Sequence, residues 1–181
     1  MERDMTRIAL FAALIAALGL IPSLTLGFGV PITAQSMGVM LAGAILGAKR
    51  GALAVLLFMA LVALGLPLLA GGRGGLGAFV APTSGFFLGW PVAAFVIGLI
   101  VERLRSGPLA VTVALASIIG GILVMYGFGI VGMSIALDKT LAECAVLVTA
   151  FVPGDLIKAV LTGLITQALA RSRPASLLSR S

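Results

Sequence analysis

The residues GALAVLLFMALVALGLPLLAGGRGGLG at positions 51–77 decide the fold class of this chain. Positions 51–69 form an apolar run without a single charge, close to the roughly 20 residues that a helix needs to cross a bilayer. The glycine-rich turn that follows interrupts the run. We therefore interpret the stretch as a membrane-spanning helix that ends in a glycine-rich loop.

The composition of the whole chain also indicates a membrane protein. Of its 181 residues, 61% are hydrophobic and only 10% are charged, against roughly 45–50% and 25% in soluble domains. The single cysteine, Cys144, excludes an internal disulfide framework. The absence of histidine excludes histidine general bases and histidine-ligated metals. We expect no metal site and no cofactor.

Five more apolar runs bring the predicted number of spans to six. The predicted spans cover residues 7–24, 35–47, 51–69, 84–101, 108–130 and 153–170. A less apolar connection before the last span is predicted to be partly helical over 136–150. The sequence thus predicts an all-α bundle of six transmembrane helices, forming a single membrane domain over residues 1–181.

The basic residues lie beyond alternate ends of the predicted spans. Of the 12 lysines and arginines, all except Arg73, Lys139 and Lys158 fall on one side of a six-helix topology. The positive-inside rule makes that side cytoplasmic, with both termini there. This topology signal accounts for the net charge of +6 better than nucleic-acid binding does. A cleaved signal peptide is the alternative for the first span, but the acidic residues of MERDMTR argue against it.

The segment 72–77, GRGGLG, matches the dinucleotide-binding pattern G-x-G-x-x-G. That pattern requires a preceding buried strand and a following helix that meets the pyrophosphate, whereas here it follows a membrane helix. The chain also lacks the Gly-Lys-Ser/Thr of a P-loop, so we expect it neither to bind ATP nor to supply its own energy. The loop is either an exterior linker or a lid over a small polar molecule, and its many bare backbone groups favour the lid.

Asp155 and Lys158 are the charged pair of the last predicted span. Three residues apart, they share one face of a helix. They are either a helix cap with a self-sufficient ion pair or a donor–acceptor pair that faces a cavity. Because a glycine-rich lid would lie on the same side of the membrane, we favour the cavity. Gln35 lies at the outer start of the second span.

Small and aromatic residues suggest two further surfaces. Ala9, Ala13 and Ala17 recur every four residues, which allows another helix to approach closely. That helix belongs either to a partner or to the chain's own bundle. Phe79, Trp90 and Tyr126 are interpreted as anchors at the membrane interface, the usual place for aromatic residues near span ends.

Five motifs together resemble one known family. They are V-P-I-T-x-Q, L-G-x-x-x-G-A, G-G-x-G-G-L-G, P-T-x-G and P-G-D-x-x-K, and they extend from residue 30 to residue 158. The chain resembles the BioY family, the biotin-specific substrate-binding (S) components of energy-coupling factor (ECF) transporters. The resemblance implies six helices, a biotin site near the external face and a location in the bacterial inner membrane. It also implies that the alanines of the first helix dock on a transmembrane coupling (T) subunit, which connects to two ABC-type ATPases.

The resemblance also assigns roles to residues. Asp155 and Lys158 match the family's ligand-binding pair, and residues 71–77 match its lid. Arg73 departs from the small or polar residue that is more frequent there. Asp155 would accept a ureido N–H of biotin and Lys158 would donate to the ureido oxygen. Further predicted contacts are the Gly74, Gly75 and Gly77 backbone and Gln35 around the polar group, Phe79 and Phe86 around the ring, and Arg73 at the carboxylate.

Three other functions compete with this one. An enzyme is not expected, because no nucleophile is flanked by titratable groups. A stand-alone ion-coupled or facilitative carrier is the main alternative, with Asp155 as a proton or sodium site. An S component for a different vitamin is a third possibility.

Overall fold

The computed structural model describes residues 2–25, 27 and 29–180, and these residues are mainly helical. Two short strands form an antiparallel hairpin between the first two helices. In chain order the elements are α1 Glu2–Leu18, β1 Leu24–Thr25, β2 Pro31–Ile32, α2 Gln35–Leu46, α3 Ala48–Ala63, α4 Ser84–Arg103, α5 Leu109–Ile118, α6 Met125–Leu137, α7 Leu141–Val148 and α8 Val152–Ser172.

The predicted all-α bundle of six helices is confirmed. Helix α5, the π-helical segment Ile119–Val124 and α6 run on from one another without a break. In the described part of the chain, three helical stretches are long and apolar enough to cross a membrane, namely Ser84–Arg103, Leu109–Leu137 and Leu141–Ser172. Helix α2 is apolar but shorter. With the shorter helices α1, α2 and α3, the described residues contain six such helical stretches, which agrees with the number that the sequence predicts.

The helix ends differ from the predicted ones for local reasons. The third helix ends at Ala63 instead of residue 69, because Gly65 adopts a φ of 99° and Pro67 cannot continue a helix. Helices α2 and α3 are separated only by Gly47, whose φ of 86° breaks the helix there. The fifth span extends past residue 130 to Leu137, where Asp138 adopts the left-handed conformation. Helix α7 lies within the predicted 136–150 connection and begins with a capping box at Thr140.

The basic residues gather at one end of the bundle, as the topology predicts. Arg50 on α3 forms an ion pair with Asp4 on α1, at 3.1 Å between Nη2 and Oδ2. Arg7 donates to the carbonyl of Ala175 at 3.2 Å, and Arg180 donates to that of Leu104 at 2.8 Å. Both chain ends and the end of α4 therefore meet at the same end of the protein.

Helix α4 is the central helix, and glycine allows its close approach to the α2–α3 junction. A Cβ atom at Gly98 would overlap the backbone of Gly47 and Ala48. Towards the other end of α4, an aromatic cluster fills the core, with the rings of Phe58 and Trp90 stacked at 5.9 Å between centroids. The bundle thus depends on backbone contact at one end and on large rings at the other.

The substitution Gly98→Ala should destabilise the protein by about 1–3 kcal/mol, the usual cost of overpacking a tight core. The new methyl group would meet backbone atoms, which cannot move aside alone. The control is Gly127→Ala on α6, where a Cβ would meet nothing within 4 Å and where alanine should be neutral or stabilising by up to about 1 kcal/mol. Thermal unfolding in detergent measures both variants, and equal midpoints would contradict the packing assigned to Gly98.

Candidate functional site

A cavity opens at the end of the bundle opposite the basic residues. Helix α8 begins there, so Asp155 and Lys158 lie at the cavity while Arg171, in the last turn of α8, lies near the basic end. The volume of the cavity is about 80 Å³, below the ~300–1,000 Å³ of typical ligand pockets. A bound solute must therefore displace side chains or loop. The walls consist of Val30, Pro31, Ile32, Thr33, Gln35, Ser36, Leu69, Arg73, Thr83, Phe86, Phe87, Trp90, Met125, Tyr126, Phe151, Asp155 and Lys158.

Asp155 and Lys158 form a nearly buried ion pair at the base of this cavity. The Lys158 ammonium lies 2.7 Å from Asp155 Oδ1, and the two side chains are 15% and 8% exposed, respectively. Their spacing of three residues brings them together on one face of α8. A buried charge without a partner would be costly, so the pair is a condition for having either charge at this depth.

Two hydroxyl groups add hydrogen bonds to the pair, and neither was predicted from the sequence. Tyr126 on α6 donates to Asp155 Oδ2 at 2.8 Å. Ser36 on α2 accepts from Lys158 at 3.0 Å and lies 3.4 Å from Asp155 Oδ1. The network thus joins three helices. Spacing along the sequence could not reveal it, because these contacts connect distant parts of the chain.

Gln35 lines the cavity, but its side-chain amide is occupied by backbone groups. Its Nε2 donates to the carbonyls of Ile15 and Leu68, each at 3.0 Å, and its Oε1 accepts from the N–H of Ala70 at 3.0 Å. The side chain is 1% exposed. Gln35 therefore ties the loop after α3 to α1 and α2, and direct contact of its amide with a ligand stays a prediction.

The glycine-rich loop contributes one side of the cavity. Leu69 and Arg73 pair in an antiparallel bridge and both line the wall. Gly74, Gly75 and Gly77 do not line it. The N–H of Gly75 donates to a carbonyl of α3, and its φ of 76° explains the need for glycine in this turn. Ligand contact by these three glycines stays a prediction.

Aromatic rings form the opposite wall. Phe86 lines the cavity as expected, whereas Phe79 lies behind it, packed on Phe87 at 5.1 Å between ring centroids. The interpretation of Trp90 and Tyr126 as interface anchors is wrong, because both side chains are buried and face the cavity. The spacing of Phe86, Phe87 and Trp90 on one face of α4 was the available sequence signal for this wall.

The alanines of α1 divide into two rows. Ala12 is buried in the core and Ala16 packs against it. Ala9, Ala13 and Ala17 are exposed on the outer face of the helix. The inward row thus serves the chain's own packing, while the outward row is open to another helix.

The arrangement can bind a small polar group between aromatic rings, whereas its side chains do not form a set of metal ligands. Among the residues that the structure describes, no three Cys, Asp or Glu side chains are grouped so as to hold an ion. What the cavity offers is a carboxylate, an ammonium and hydroxyl groups in an aromatic enclosure. These groups suit an uncharged, strongly hydrogen-bonding head group.

Comparison with known proteins agrees with this architecture. The model of the BioY family matches residues 2–175. The biotin transporter BioY of Rhodobacter capsulatus is 56% identical, and the match covers 99% of this chain and 100% of that protein. The biotin transporter BioY of Rhizobium etli is 52% identical, with 92% of each chain covered.

A solved structure has the same fold. The S-component for biotin from an ECF-type ABC transporter superposes with a TM-score of 0.89 at 33% identity, covering 94% of this chain and 92% of the other. Family model, sequence and fold agree over nearly the whole length. The chain belongs to the BioY family, and it is a multi-pass membrane protein.

Proposed function

We propose that this chain is the biotin-binding S component of an ECF-type vitamin uptake transporter. The observation that carries the proposal is the Asp155–Lys158 pair at the base of an aromatic-walled cavity. The relatives named above, biotin transporters and a biotin S-component, support biotin as the ligand.

The head group of biotin matches the groups at the base of the cavity. Its cyclic urea has two N–H donors and one carbonyl acceptor. Asp155 accepts an N–H and Lys158 donates to the carbonyl oxygen, in charge-assisted hydrogen bonds. The thiolane ring and the aliphatic part of the side chain lie against Phe86, Phe87 and Trp90. No metal or cofactor takes part.

The carboxylate of biotin extends from the head group towards the glycine-rich loop. Arg73 lines the cavity from this loop, and its Nε donates to the carbonyl of Ala70 at 3.2 Å. That bond leaves the terminal nitrogens of the guanidinium for an anion. Because the cavity is narrow, the glycine-rich loop moves outward, by rotation at its glycines, when biotin enters. The loop then closes over biotin, with Arg73 at the carboxylate.

Energy comes from partners in this proposal. The chain has no P-loop, so ATP is used by two ABC-type ATPases, which act through a T subunit. The exposed row of Ala9, Ala13 and Ala17 on α1 gives the T subunit a surface for close helix packing. The basic end of the bundle faces the cytoplasm and the cavity faces outward, across the bacterial inner membrane.

The stand-alone ion-coupled carrier has less support. A proton or sodium site needs a carboxylate that can exchange its partner, whereas Asp155 holds Lys158, Tyr126 and Ser36 at once. Ion-gradient-driven uptake by vesicles that contain this protein alone would favour that carrier.

Equilibrium binding of biotin to the purified protein in detergent tests the proposed function. Competition with desthiobiotin, which keeps the urea and the carboxylate but lacks the thiolane ring, tests the aromatic enclosure. Competition with biocytin, in which the valerate carboxylate is an amide, tests the carboxylate end. Riboflavin and thiamine test other vitamins. A folded protein that binds no biotin would overturn the proposal.

Asp155→Asn and Lys158→Met should each weaken biotin binding by about 1–3 kcal/mol, through the loss of a charge-assisted bond. Lys158→Met also leaves Asp155 without its cation, so its thermal stability is measured alongside. The double variant serves as the control, because it restores neutrality without restoring the ligand bonds. Biotin affinity equal to wild type in both single variants would remove the pair from the site.

Arg73→Gln should weaken binding of biotin more than that of biocytin, because biocytin carries an amide at the position where biotin presents its valerate carboxylate to the guanidinium. The expected loss for biotin is about 1–3 kcal/mol if the contact is shielded from water, with little change for biocytin. The two affinities are measured by isothermal titration. Equal losses for both ligands would mean that Arg73 acts on the loop and not on the carboxylate.

Ala13→Leu should leave biotin binding unchanged and reduce biotin uptake by the assembled transporter, since a leucine side chain prevents the close helix approach that small residues allow. Ala136→Leu on α6 is the matched control, because Ala136 is also exposed and lies on a helix that does not pack closely on α1. Uptake by Ala13→Leu at the level of the control would exclude this row as the docking surface.

A further inference from the structure

The π-helical segment Ile119–Val124 determines which residues of the α5–α6 rod face the cavity. Tyr126 follows the buried Ser117 by nine residues, which in an unbroken α-helix would place it about 180° around the axis. The π turn contains one residue more than an α-helical turn. This extra residue brings the direction of Tyr126 about 100° closer to that of the buried Ser117. Met125 and Tyr126 consequently line the cavity, while Gly127 and Phe128 face a groove on the outer surface.

Close packing holds this segment in place. A Cβ atom at Gly120 would press on Ile97 and Ala93 of α4, and one at Gly121 would press on Met40 of α2. Because the two glycines let neighbouring helices fit against the wide turn, the register of α6 is fixed by contacts on two sides. The position of Tyr126 is therefore a property of the folded bundle.

The carboxylate of Asp155 has more acceptor positions than it has hydrogen bonds within the protein. A carboxylate offers about four lone-pair positions on its two oxygens. Lys158 and the more distant Ser36 take those of Oδ1, and Tyr126 takes one of Oδ2. The Ser36 hydroxyl also lies 3.5 Å from the carbonyl of Thr33, but the charged Asp155 Oδ1 at 3.4 Å is the stronger acceptor. One acceptor position on Oδ2 is left for a solute.

The same count applies to Lys158. An ammonium group has three N–H donors. One is directed to Asp155 at 2.7 Å and one to Ser36 at 3.0 Å. One donor is left, so the base of the cavity offers a solute a single acceptor beside a single donor.

We infer that Tyr126 is a positioning residue that restricts the Asp155–Lys158 pair to one acceptor and one donor, and so selects solutes with an N–H adjacent to a carbonyl. This inference rests on the proposed function and adds its chemical selectivity. A cyclic urea fits the two positions with one N–H and its oxygen. A cationic guanidinium analogue offers only donors, so it leaves the Lys158 donor unmatched and places a positive charge beside it.

The test compares Tyr126→Phe with wild type for two ligands, biotin and 2-iminobiotin, in which a guanidinium replaces the urea. Wild type should prefer biotin. In Tyr126→Phe, which keeps the ring, biotin affinity should fall about tenfold, because Asp155 loses the bond that holds its Oδ2 in one orientation towards the solute. The preference for biotin over 2-iminobiotin should also narrow, because the freed Oδ2 can accept a second donor.

Phe128→Leu is the control, since Phe128 lies on the same helix but outside the cavity. It should leave both affinities unchanged. A loss of affinity that is equal for the two ligands would make Tyr126 merely structural and would overturn the inference, as would unchanged binding in Tyr126→Phe. A wild-type protein that binds neither ligand would instead contradict the proposed function.

Discussion

The burial of Asp155 and Lys158 constrains the rest of the site. Neither charge is tolerable alone at this depth, and the pair needs further hydrogen bonds from its surroundings. Tyr126 and Ser36 supply such bonds from two other helices. One small polar network therefore fixes α2, α6 and α8 relative to one another at this end of the bundle. The candidate site is formed by segments that are far apart in the sequence.

The two ends of the bundle solve different physical problems. At the basic end, glycine contacts such as that of Gly98 with the α2–α3 junction bring helix backbones close together. These contacts give tight and fixed helix packing at this end. At the cavity end, rings and a loop held by Gln35 enclose space that a solute can enter. The tightly packed end and the cavity end are thus held by different kinds of contact.

Much of the fold could be predicted because long hydrophobic runs indicate membrane-spanning helices and the positions of the basic residues indicate their topology. Asp155 and Lys158 could be singled out for the same reason, since charges are conspicuous in an apolar run. Tyr126 could not, because a π turn changes the periodicity that sequence reading relies on, and nothing in the letters IGGILV reveals it. Gln35 illustrates another limit: its place near the cavity could be predicted, but the three backbone groups that hold its amide are brought together only by folding.

The ion pair also has an electrical consequence. A single charge carried across a bilayer exchanges about 2.3 kcal/mol with the membrane for every 100 mV of potential. Asp155 and Lys158 carry opposite charges only 2.7 Å apart, so moving them together involves almost no electrical work. The resting voltage of the cell neither draws this pair inward nor holds it outside, so any electrical work in moving a bound solute arises from other charges and not from the pair.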